Sequence, residues 1–82
     1  MSYDTFIYEI CRNLISTYQF YSCEYEKDSH GNLMCVRIYS DTNRFSCHFM
    51  GALIKQKGSL LMSFSSDLAG RPVITIYNDV EP

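Results

Sequence analysis

Residues 44–54, RFSCHFMGALI, constrain this chain most, because their pattern decides how the segments on either side can pair. Phe45, Cys47, Phe49, Gly51 and Leu53 fall on one side of a period-two strand, and Ser46, His48, Met50, Ala52 and Ile54 on the other. Read this way, the stretch is the middle strand of a sheet, with Gly51 marking a bend. The rival reading is a helix from Cys47 to Lys57, since FMGALIKQK is rich in helix formers. A glycine at its centre counts against that rival.

The preceding segment is helical. Ser2 can cap a helix, Asp4 and Glu9 lie toward its positive end, and Tyr3, Ile7, Ile10, Cys11, Leu14 and Tyr18 form one apolar stripe. The helix is expected over about residues 3–17, before an aromatic and β-branched run that favours strand. Strands are expected over about 19–27, 33–39, 44–54, 59–66 and 73–77. The connecting stretches Ser29–Asn32, Ser40–Asn43, Lys55–Gly58 and Asp67–Arg71 carry turn chemistry.

Loops of four residues set the register. Cys23 comes opposite Ile38, Tyr25 opposite Val36, Lys27 opposite Met34, and Glu24 opposite Arg37 as a cross-strand charge pair. The same logic pairs Ile38 with Phe45 and Leu53 with Leu60. Pro72 opens the last strand as an edge strand, with Ile74 and Ile76 inward and Val73, Thr75 and Tyr77 outward. The expected architecture is α+β: one domain over residues 1–82, its N-terminal helix packed on a curved five-strand antiparallel meander.

Function is constrained mainly by exclusion. A net charge of −2 provides no basic footprint for nucleic acid. No stretch is long enough to span a membrane. The start, MSYDTFIYEI, has neither a basic n-region nor a long apolar run, so the expected compartment is the cytoplasm. Cys11, Cys23, Cys35 and Cys47 recur every twelve residues, but their flanks are dissimilar and no CxxC pair occurs. They read as reduced, structural thiols. No cofactor or metal motif is present; DLAGR lacks phosphate-loop spacing.

The expected register aligns Glu26, Cys35, His48 and Ser65 in one row on the outer face. Thiol, imidazole and carboxylate can build a nucleophilic site or ligate a metal. On a flat sheet with no cleft, the row reads as solvated surface rather than as an enzyme centre. The stronger signal is apolar: Met50, Ile54, Leu61, Val73 and Tyr77 are expected to cluster on the outer face as a partner-binding patch. Five strands at about 4.8 Å spacing also exceed what one helix about 10 Å across can cover, which points to a partner or to self-association.

In layout, an N-terminal helix followed by five bent strands resembles the Sm-like RNA-binding fold, and a sheet wrapping one helix resembles the cystatin-like layout. The Sm-like glycine-marked second strand, its Asp and Asn pair and its Arg-Gly have no counterparts here, and Gly70-Arg71 reverses the dipeptide. The sequence reading is therefore a non-enzymatic protein-binding module, an inhibitor or adaptor of another protein. Its size and lack of motifs suit an accessory protein of a virus or mobile element, by association. A small nucleic-acid-binding module, Sm-like or other, is the alternative.

Overall fold

The computed structural model describes residues 3–10, 13, 16, 17 and 21–80. The elements are α1 (Tyr3–Ile10), β1 (Tyr21–Lys27), β2 (Leu33–Ser40), α2 (Cys47–Lys57), β3 (Leu60–Ser66) and β4 (Pro72–Val80). The fold is α+β, with a four-stranded antiparallel sheet in the order β1-β2-β4-β3. β2 and β3 are thus parallel to each other, α2 connects them, and β4 slots between them as in a split β-α-β unit.

The expected five-strand meander is corrected at its centre: residues 47–57 are helix, not strand. Ser46 caps α2, its hydroxyl accepting the Phe49 N–H at 3.1 Å. Lys55 and Lys57 sit in the last turn, where the dipole is negative, and Gly58 ends the helix at a φ of 58°. Phe49 and Leu53, one turn apart, are both fully buried. Two residues that alternate on a strand thus also form the core stripe of a helix. Gly51 lies on the exposed side of α2. The Sm-like layout is lost with the third strand.

Both helices feed the core cluster on one face of the sheet. Tyr3, Phe6 and Ile7 come from α1, Phe49 and Leu53 from α2, and Leu33, Val36, Ile38, Ile74 and Ile76 from the sheet. The Tyr3 hydroxyl donates to the Ile76 carbonyl at 2.7 Å and ties α1 to β4. Tyr21, Phe45 and Phe49 stack together with centroids 4.6–5.7 Å apart, and the Tyr21 hydroxyl accepts the Ser46 N–H at 2.7 Å. These contacts lock the start of α2 to the edge strand β1. Of the expected stripe on the first helix, Cys11, Leu14 and Tyr18 lie outside the described residues, as do Gln19 and Phe20 of the expected first strand.

The β1–β2 register agrees with the sequence reading from Cys23–Ile38 to Glu26–Cys35. It then departs: Lys27 pairs with Leu33, not Met34. Met34 is the extra residue of a bulge, which turns Leu33 into the core and leaves Met34 51% exposed. The inward Ile74 and Ile76 agree as well. However, β4 is an interior strand rather than an edge, and Pro72 is tolerated as its first residue.

Two turns of one design close the hairpins. Asp28 accepts the backbone N–H groups of His30 and Asn32 on Oδ1, and Asp67 accepts those of Ala69 and Arg71, at 2.8–2.9 Å. Gly31 and Gly70 supply the left-handed residue of each, with φ of 83° and 80°.

Candidate functional site

The face of the sheet turned away from the helices is polar over β1 and β2. Glu24 stands directly opposite Arg37, yet the Arg37 guanidinium bonds Glu26, its diagonal neighbour. Glu24 instead accepts the Tyr39 hydroxyl at 3.1 Å, and the Arg71 guanidinium lies 5.5 Å from the Tyr39 ring centroid. The Arg37 hydrogen bond, helped by the Cys35 thiol, holds the Glu26 carboxyl below its ordinary range.

The expected row Glu26–Cys35–His48–Ser65 is half present. Cys35 Sγ donates to Glu26 Oε2 at 3.4 Å. His48, by contrast, is exposed on α2, Tyr77 takes its place opposite Cys35, and Ser65 pairs with Val73. Burial, and then the bond to Glu26, push the Cys35 thiol above its usual value. A buried thiol that donates to a carboxylate is protonated and a poor nucleophile. Among the described residues, no three His, Cys, Asp or Glu side chains gather to hold a metal. Cys23, Cys35 and Cys47 are free thiols.

The structure separates the five residues expected in one apolar patch. Met50 is half-buried against the core cluster, and Ile54 is 50% exposed on α2. Val73 is on the outer face of β4, but at 4% exposure it has no surface to offer. Leu61 and Tyr77 stay together on the outer face, each 37% exposed. They come together through a second irregularity: Leu60 pairs with Val80 and Met62 with Ile76, so β4 runs two residues longer than β3 between these pairs.

That irregularity and the Met34 bulge frame an open groove of about 340 Å³ at one end of the sheet. Leu33, Met34, Leu61 and Tyr77 supply its apolar lining, and Asp28, Asn32, Asn78 and Asp79 its polar rim. The rim is anchored: Asn78 donates to the Leu33 carbonyl at 2.9 Å, and Asn32 Nδ2 to Asp28 Oδ2 at 3.3 Å. Backbone hydrogen bonds, that of Asn32 foremost, keep the Asp28 carboxyl ionised below its ordinary range. The rim is therefore negative. Met34, Asn78 and Asp79 were missed by sequence reasoning, because only the bulges bring them together. The one available signal was the Asp-x-x-Gly-x turn at residues 28–32.

No family model, curated protein or solved structure matches this chain. Among the described residues, no helix is long and apolar enough to cross a membrane.

Proposed function

We propose that this chain is a non-enzymatic protein-binding module, an inhibitor or adaptor, that engages its partner through the groove between Met34, Leu61 and Tyr77. The observation that carries this reading is the groove's composition. Three large apolar side chains, 37–51% exposed, sit beside the carboxylates of Asp28 and Asp79. An apolar cleft with a few convergent polar groups is where a ligand binds by default. A volume of about 340 Å³ suits a side chain or a short peptide segment rather than a large cofactor. The chemistry that fits is an aliphatic stem with a cationic head, a Lys or Arg of the partner, its stem on Met34 and Tyr77 and its head at the rim.

The protonated Cys35 thiol and the distance of His48 from it favour a binding role over nucleophilic catalysis. A sequence pI of about 5.5 favours a basic protein partner over nucleic acid. Affinity purification from the source cell tests the reading, with wild type compared against Met34→Lys. A protein captured by the wild type and lost with Met34→Lys supports it, since Met34 is exposed and its replacement spares the core. Equal capture by both forms refutes it, as does tight RNA binding with a steep salt dependence.

A further inference from the structure

We infer that β3 is a pairing edge through which two copies of this chain join antiparallel about a two-fold axis at Ser63, forming one continuous eight-stranded sheet. This goes beyond the groove reading and does not depend on it.

Among the described residues, the sheet order leaves β1 and β3 as edges. An open edge presents a row of backbone donors and acceptors that matches one thing, another extended strand. The two edges are guarded very differently. β1, YSCEYEK, carries Glu24, Glu26 and Lys27, which blunt it in the usual way. β3, LLMSFSS, has neither a charge nor a proline. Two of its large side chains are also bare: Phe64 is 60% exposed and Leu61 37% exposed.

The occupant follows from the symmetry of the open run. At its start, Lys57 Nζ donates to the Leu60 carbonyl at 3.0 Å and occupies that end of the strand. At its finish, the Asp67 turn leads back to Arg71, with Asp67 N–H donating to the Arg71 carbonyl at 3.0 Å. Between them lie Leu61 to Ser66. An antiparallel pair sets residues of one face opposite each other, so the axis falls on a residue. Phe64 would set Leu61 against Asp67, whose N–H is taken, whereas Ser63 keeps Leu61 to Ser65 within the open run. Antiparallel self-pairing about Ser63 places Leu61 opposite Ser65 and Met62 opposite Phe64 of the second copy. Every pair is then acceptable. Small polar residues face Leu61 or each other on the outer side. On the helix side the Met62 thioether, already packed against the core cluster, meets the exposed Phe64 ring of the other copy. No like charges meet anywhere in the register, whereas pairing β1 with itself would set carboxylates against one another. A two-fold contact uses the same patch twice, and this run is self-complementary.

The test uses the full chain. Light scattering at high micromolar concentration should give twice the monomer mass, and Phe64→Lys should return it to monomer with an unchanged circular dichroism spectrum. The register is tested by cysteine substitution under mild oxidation, with the links mapped by mass spectrometry. Ser63→Cys should link position 63 to position 63, since residues paired across the axis lie within disulfide reach. Ser65→Cys should not link to itself, because the two positions lie about 13 Å apart along the strand. A wild type that stays monomeric would overturn the inference. So would a dimer that survives Phe64→Lys, or linking by Ser65→Cys as readily as by Ser63→Cys. Met34→Lys, which disables the groove, should leave the dimer intact, so the two proposals fail separately.

Discussion

Replacing Gly51 with alanine should stabilise this protein. Gly51 is the fifth of eleven residues in α2 and faces solvent. It has no positive φ, and a Cβ built on it meets no atom within 4 Å. Alanine therefore fits without strain, and the change removes backbone freedom from the unfolded chain. Glycine in a helix interior costs about 0.8–1.0 kcal/mol relative to alanine. With a urea m-value of about 1 kcal/mol per molar for a chain this small, the midpoint should rise by about 0.8–1.0 M at unchanged m. The melting temperature should rise by about 4–6 °C. Equilibrium urea unfolding followed by circular dichroism measures both quantities. A lower midpoint, or none of the expected rise, would refute the reasoning. It would restore the alternative in which Gly51 bends a strand and a side chain there is a burden.

Other perturbations probe the core, the helix anchor and the turns. Phe49→Ala should cost about 3–5 kcal/mol, a large part of the total stability of about 4–12 kcal/mol expected for a chain this size, and a thermal melt will show it. Tyr3→Phe removes the bond to the Ile76 carbonyl and should cost about 1 kcal/mol in urea unfolding, with the sheet retained. Asp28 and Asp67 have carboxyl groups held below their ordinary values chiefly by backbone N–H donors, those of Asn32 and Arg71 respectively. A depressed folded value means the contribution is present above the unfolded value of about 3.9 and is lost as pH falls through the folded one. Melting temperature should thus be flat near neutrality and fall below about pH 4; the double change Asp28→Asn with Asp67→Asn should blunt that fall, and an unaltered pH profile would count against the turn geometry.

The β1–β2 hairpin was legible because everything that sets it is local. A turn built on Asp28 and Gly31 fixes the register, and both faces make sense only with Cys23 opposite Ile38 and Glu24 opposite Arg37. The inward set of β4, Ile74 and Ile76, was legible for the same period-two reason. α2 was not, because Phe49 and Leu53 satisfy a strand's alternation and a helix's four-residue step equally well. The helix formers of FMGALIKQK favoured helix, but Gly51 outweighed them in a reading limited to pattern. The deciding term is tertiary. One helix leaves much of a four-strand face uncovered, and a second helix carrying Phe49 and Leu53 covers it. The width argument pointed to a missing cover, which the chain itself supplies. Once residues 47–57 are helix, β3 returns parallel to β2 and β4 fills the gap between them, so Pro72 opens an interior strand and β3 becomes the edge. The apolar patch dissolved by the same step: Met50 and Ile54 left with α2, and Leu61 and Tyr77 stayed on the sheet. The groove depends on two register shifts, at Met34 and between Leu60 and Met62. The sequence by itself determined the Asp28 and Asp67 turns, the β1–β2 register from Cys23 to Glu26 and the inward set Val36, Ile38, Ile74 and Ile76, since each is fixed by neighbours in the chain. Strand order, the identity of the edge and the groove were decided only once residues 47–57 joined α1 as a second helix on the core face, through contacts among residues far apart in sequence.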